Sequence, residues 1–115
     1  MLIKKIHKRK DYVDISKTGL KLNTKNFIIQ YKRLKKQNET DLVYNIKVGI
    51  VASKKVGNAV RRNYVKRIIR NISKSSCEVI DKNIDFVIIG KRSVISESFE
   101  KLNLEMKSAF KEISK

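Results

Sequence analysis

Residues 54–70 read KKVGNAVRRNYVKRIIR, with seven Lys or Arg and no acid. Within them Ala59, Val60, Val65, Ile68 and Ile69, continued by Ile72, recur at the i, i+3, i+4, i+7 spacing of a core-facing helix. Arg62, Lys66 and Arg70, spaced by four, form a second stripe, which Arg67 and Lys74 widen. Gly57 and Asn58 mark a turn into the helix, with Asn58 suited to accept its first free N–H groups. One helix is therefore expected to carry a dry face and a cationic face.

The segments on either side supply what the dry face packs against. Upstream, NFIIQYKRL (26–34) alternates, with Phe27, Ile29 and Tyr31 on one side and Gln30 and Lys32 on the other. VYNIKVGIVAS (43–53) alternates again, placing Tyr44, Ile46, Val48, Ile50 and Ala52 inward. A polar loop at 35–41 between them predicts an antiparallel hairpin. Downstream, FVIIG (86–90) is a continuous apolar run, short enough to be a strand buried on both faces and so central in a sheet. A short helix is expected at 11–18, capped by Asp11, with Tyr12 and Ile15 sharing a face. A last helix, capped by Ser96, turns Phe99, Leu102, Met106, Phe110 and Ile113 one way. The order helix, strands, helix, strand, helix predicts an α+β layer sandwich, one domain over residues 1–115.

The charge is uneven. Of the formal +17, residues 1–76 hold all: 21 Lys or Arg stand there against four acids, while residues 77–115 carry seven of each. A balance so far from zero implies a polyanionic partner, and its confinement to the first two-thirds implies a site within them. The basic start leads into no apolar stretch long enough for a signal peptide, and no run approaches the roughly 18 apolar residues of a membrane span. With a single cysteine, Cys77, read as a small semi-buried residue, a cytoplasmic protein is expected.

Catalytic groups are sparse. The one histidine, His7, lies in the basic N-terminal segment, no Cys/His set has zinc spacing, and the four glycines are isolated. The basic part has only Asp11, Asp14, Glu39 and Asp41, scattered, whereas a nuclease needs clustered carboxylates to hold metal ions. No catalytic or metal-ligating residue is assigned. Binding groups abound instead: SKKVGNAVRRNYVKR (53–67) combines cations with a helix N-terminus, and Tyr12, Phe27, Tyr31, Tyr44 and Tyr64 could stack on bases or fill the core.

The run SKKVGNAVRRNYVKRIIR (53–70) resembles the signature of the bacterial ribonuclease P protein component. The flanking elements, from Asp11-Tyr12 through NFIIQY, KVGIVAS and DFVIIGK to the last helix, are similar to that family in order and spacing. The resemblance implies a non-catalytic protein subunit of a ribonucleoprotein endonuclease that removes the 5′ leader of precursor tRNA. It implies a catalytic RNA partner that works with Mg2+, precursor tRNA as the other partner, and an unusual left-handed β-α-β crossover around the basic helix; no membrane is expected, and no protein partner is evident. Carried over residue by residue, Lys54, Lys55, Asn58, Arg62, Asn63, Lys66, Arg67 and Arg70 become RNA-binding residues. Tyr12 matches the aromatic of a leader cleft between the first helix and the sheet, and Tyr31 and Tyr64 are added to that cleft as less direct matches. The chain departs from the pattern at Tyr64, the third residue of Arg-Asn-Arg, at Ser16, where a second aromatic is usual, and at Gln30, where relatives often carry tyrosine. A ribosomal-type structural RNA-binding protein is the alternative that charge and fold equally allow. A duplex-DNA reader is disfavoured, since Asn63 is the only amide side chain in mid-helix for reading base edges.

Overall fold

The strand that organises the sheet is the one without polar alternation. A computed structural model describes residues 2–6, 9–33, 45–80 and 83–115; His7, the segment 35–41 and Tyr44 lie outside them. In chain order the elements are β1 (Leu2–Lys5), α1 (Arg9–Thr18), β2 (Leu20–Asn23), β3 (Phe27–Arg33), β4 (Asn45–Ala52), α2 (Ala59–Ser76), β5 (Ile84–Gly90) and α3 (Phe99–Ser114). One five-stranded sheet runs β1-β4-β5-β3-β2, with β5 in the middle. β5 pairs parallel with β4 and antiparallel with β3.

This corrects the expected hairpin: β3 and β4 do not pair, because β5 inserts between them. An apolar strand hides both faces only when it has a neighbour on each edge and a layer above and below. The hairpin partner of β3 is β2, a four-residue strand the sequence pattern did not mark, and β1 adds a parallel strand outside β4. β4 and β5, parallel neighbours, are joined through α2, which forms the β-α-β crossover.

Strand alternation divides the core in two. Ile84, Phe86 and Ile88 of β5 face the same layer as Phe27, Ile29, Ile46 and Val48, and α2 and α3 cover them. Val87 faces the other layer with Ile15 and Ile6, and α1 covers that side. In the larger core the rings of Phe86 and Phe110 stack at 4.8 Å between centroids. Cys77, in a 3-10 turn that follows α2, is fully buried, and burial pushes its thiol up to about 12. It is a neutral packing group.

Helix ends account for three further differences. α1 starts at Arg9, so Asp11 sits in its first turn and not at its cap. Residues Arg92–Ser96 form a 3-10 turn, and the cap of α3 is Ser98, whose hydroxyl accepts from the Lys101 N–H at 3.3 Å. Phe99, just after that cap, is half exposed, while Leu102, Met106, Ala109, Phe110 and Ile113 are buried. At the N-terminus of α2 the expectation holds: Asn58 Oδ1 accepts from the Arg61 N–H at 3.0 Å, and Gly57, at φ 133°, makes a turn that side chains resist.

The β2–β3 turn is tied down by one carboxylate. Glu105 of α3 accepts from Thr24 Oγ1 at 2.6 Å, from the Asn26 backbone N–H at 2.9 Å and from Asn26 Nδ2 at 2.6 Å. Asn26 is buried, so these bonds replace water it has lost. Among the described residues no helix is long and apolar enough to cross a membrane.

Ile69 is fully buried in the larger core. Ile69→Ala should therefore lower stability by about 2–5 kcal/mol in denaturant unfolding, with the slope of the transition unchanged.

Candidate nucleic-acid interface

The two faces expected of the basic segment are present, with a shifted boundary. Val65, Ile69, Ile72, Ser73 and Ser76 of α2 are buried and Ile68 is half-buried. Val60, expected in the dry stripe, is 77% exposed. The reason is geometric: at about 100° per residue, position 60 lies more than a quarter turn off the line through 65, 69 and 72.

The cationic residues step outward from one flank of the packed face. Arg62 and Lys66 are half-buried and Arg70 is exposed; Asn63, Arg67 and Lys74 continue onto the solvent side. Arg62 Nε is buried and has no hydrogen-bond partner among the described residues. Arg67 lies over the Tyr64 ring, 5.6 Å from its centroid. Just upstream, Ser53 Oγ accepts from the Lys55 N–H at 3.2 Å and closes a 3-10 turn, Lys54–Val56, with Val56 buried and both lysines exposed. The turn thus places Lys54 and Lys55 beside the N-terminus of α2, where Asn58 caps. Among the described residues, the ion pairs are Lys25–Glu97, Lys32–Asp14, Lys101–Glu97 and Lys115–Glu112. None uses a cation of α2 or of the turn before it. A row of unneutralised Arg and Lys on a rigid helix is suited to phosphate oxygens.

A second feature lies across the sheet. A groove runs between α1 and the sheet, with Tyr12, Val13, Ser16 and Lys17 on its helix side and Gln30, Val51, Val87 and Ile89 on its sheet side. The Tyr12 hydroxyl donates to the Ile6 carbonyl at 3.3 Å. Burial raises the pKa of this phenol, against a smaller lowering by a backbone hydrogen bond at Ile50, so it stays protonated in neutral solution. Lys32 reaches Asp14 across the layer at 2.9 Å. One aromatic ring, an apolar floor, two polar side chains and a nearby lysine suit a single unstacked base with its phosphate.

Of the three tyrosines placed in that groove from sequence, only Tyr12 is there. Tyr31 faces the other layer and packs on the larger core, while its neighbour Gln30 lines the groove, because successive strand residues point to opposite faces. Tyr64 stands on α2, whose packing is on the other side of the sheet from α1. The groove residues missed in the sequence are Val13, Lys17, Val51, Val87 and Ile89. An uninterrupted apolar strand such as β5 does not reveal which of its residues faces a groove. Lys17 carried a signal, one turn beyond Val13 on the short first helix.

A charged helix on one face of a small α+β sandwich, with its cations unpaired, defines a nucleic-acid-binding protein. Comparison with known proteins makes the class specific. The family model described as Ribonuclease P matches residues 3–114. The chain is 32% identical over 110 residues to the ribonuclease P protein component of Bacillus velezensis, covering 96% of this chain and 89% of that protein. It is 35% identical over 106 residues to the one from Desulforapulum autotrophicum, covering 92% and 85%. The ribonuclease P protein of Thermotoga maritima superposes with a TM-score of 0.77 at 27% identity, covering 95% of this chain and 96% of that one. The Staphylococcus aureus protein gives 0.74 at 26%, covering 96% and 94%. The chain belongs to the ribonuclease P protein component family, the protein subunits of ribonuclease P.

Replacing Arg62, Lys66 and Arg70 together by Ala should weaken binding to ribonuclease P RNA and flatten its salt dependence. Each lost phosphate contact should reduce the log–log slope by about 0.7–0.9. Folding should change little, since relief of self-repulsion offsets the packing lost from the Arg62 stem. Affinity measured across a salt series checks this; weaker binding at an unchanged slope would show that these side chains do not neutralise phosphate.

Proposed function

We propose that this chain, as the protein subunit of a cytoplasmic ribonuclease P, binds the catalytic RNA through α2 and holds the 5′ leader of precursor tRNA in the groove beside α1. The observation that carries this is the unpaired cationic row Arg62, Lys66, Arg67 and Arg70 on α2, with Lys54 and Lys55 in the turn before it; together with Asn58 at the helix cap and Asn63 these are the residues of the family signature. The leader assignment rests on the groove, whose Tyr12 wall offers a stacking face while Lys17 and Lys32 stand at its margin. With the two surfaces on opposite faces of the sheet, one protein can hold the RNA and the leader at once, and the whole chain acts as one RNA-binding domain.

Bond cleavage belongs to the RNA in this reading. Among the described residues no three His, Cys, Asp or Glu come together as metal ligands. The described side chains thus offer no such cluster for Mg2+, and in this reading the ions that support cleavage are assigned to the RNA. The protein contributes cations that offset phosphate repulsion between catalytic RNA and substrate. It also orders a leader that would otherwise be free to move. A purely structural ribosomal role has the same electrostatics but no use for a groove of this kind.

Two measurements test the proposal. The protein, verified free of RNA, should not cleave precursor tRNA; with a cognate ribonuclease P RNA at low magnesium it should promote removal of the leader. Metal-dependent cleavage by the protein alone would refute the division of labour. Separately, Tyr12→Ala should weaken precursor binding by the holoenzyme by about 1–3 kcal/mol while mature tRNA binds as before; equal loss for both would remove the leader from the groove.

A further inference from the structure

Gly49 has no conformational need to be glycine. Among the described residues the only positive φ belongs to Gly57, so the backbone at 49 suits any residue. What it lacks is room. A Cβ built there would lie 2.6 Å from Tyr12 Cε1, 2.7 Å from Cζ and 2.8 Å from the phenolic oxygen. The neighbours of Gly49 on the same face of β4 are Lys47 and Val51, and Val51 lines the groove. The missing side chain is therefore a notch in the groove side of the sheet, and the Tyr12 ring lies in it.

The geometry points to Gly49 as the residue that positions Tyr12, and through it sets the groove's fit to the leader. This inference rests on the reading of the groove as the leader site. The atoms that a Cβ would meet are the far end of a side chain whose hydroxyl donates to the Ile6 carbonyl at 3.3 Å and meets a backbone hydrogen bond at Ile50, and whose ring packs, half-buried, against the small cluster of Ile6, Ile15 and Val87. Carbon atoms in contact sit about 3.5–4.0 Å apart, so the ring must give by about 1 Å while the strand keeps its pairing. A displacement of that size in a group that orients a substrate is enough to change function. Gly49 touches no substrate in this account and acts only through the ring.

The test is a double-mutant cycle on Gly49→Ala and Tyr12→Ala in the reconstituted holoenzyme, with cognate ribonuclease P RNA. The readouts are the ratio of mature to precursor tRNA dissociation constants, the affinity for the RNA alone, and the melting temperature of the protein. Gly49→Ala should cut the ratio about fivefold or more, the scale of a lost stacking contact, and leave RNA affinity and melting temperature nearly unchanged. In the Tyr12→Ala background the same substitution should have no further effect on the ratio, since the ring it would displace is gone. If Tyr12→Ala lowers the ratio and Gly49→Ala does not, the positioning role is overturned and the leader reading stands. If Tyr12→Ala itself leaves the ratio unchanged, the leader reading fails and this inference falls with it. A large drop in melting temperature for Gly49→Ala, relieved by Tyr12→Ala, would also overturn the inference, because the ring would then be part of the core and not a movable wall.

Discussion

The structure depends on β5 being dry on both sides. Ile84, Phe86, Val87 and Ile88 are buried, and a continuous apolar run such as that of residues 86–90 is stable only with a strand on each edge and a layer on each face. That single requirement draws β3 and β4 to its edges, sends α2 and α3 to one face, and calls α1 to the other. It also separates the two surfaces to which the proposed function is assigned. The cationic row belongs to a helix that covers the even-numbered residues of β5, and the groove opens over the odd-numbered ones.

This explains how much of the molecule was legible in its sequence. Segments with a long, clean period were readable: α2 with its Asn58 cap, the alternation of β3, and the position of β5 at the centre. Four-residue strands were not. LIKK and LKLN contain too little alternation to be told from a basic linker, and edge strands carry no apolar demand that would mark them. Pairing order was lost for another reason. A polar segment between two alternating strands resembles a hairpin whether or not a third strand, 30 or more residues later, enters between them. The candidate site divided in the same way. The cations of α2 were visible because a helix stripe is local, whereas the groove is assembled from four elements, and only the positions of Tyr12, Ser16 and Gln30 were marked in it, through the family resemblance.

The misplacement of Tyr31 shows how sharp the strand rule is. Gln30 and Tyr31 are adjacent in sequence, yet one borders the groove and the other packs on the larger core. A strand offers no intermediate orientation. The groove therefore presents an amide at this strand position, and with Ser16 on the helix side Tyr12 is the one ring that lines it. In the proposed leader site that ring would supply the stacking face alone, which is why the bare backbone beneath it at Gly49 matters.

The distribution of acids completes the argument. In the neutral last third, Glu97 and Glu105 serve the fold. Glu97 receives Lys25 at 3.1 Å and lies 3.9 Å from Lys101, and Glu105 holds the β2–β3 turn through Thr24 and Asn26. The hydrogen bond from Lys25, more than any other influence, holds the Glu97 carboxyl below its usual range. A depressed carboxylate contributes stability that is present above its unfolded pKa and lost as the pH falls through the folded one. The Glu97 contacts therefore operate in full at neutral pH. The acids of α3 and of the turn before it thus secure the basic β2–β3 turn to the scaffold, and the ion pairs of the described residues leave α2 uncompensated. Such a helix repels itself, and the fold tolerates this because the opposite face of α2 is fully packed through Val65, Ile69 and Ile72. Burial on one side of the helix is what permits unpaired charge on the other, and the unpaired charge is what a phosphate backbone then neutralises.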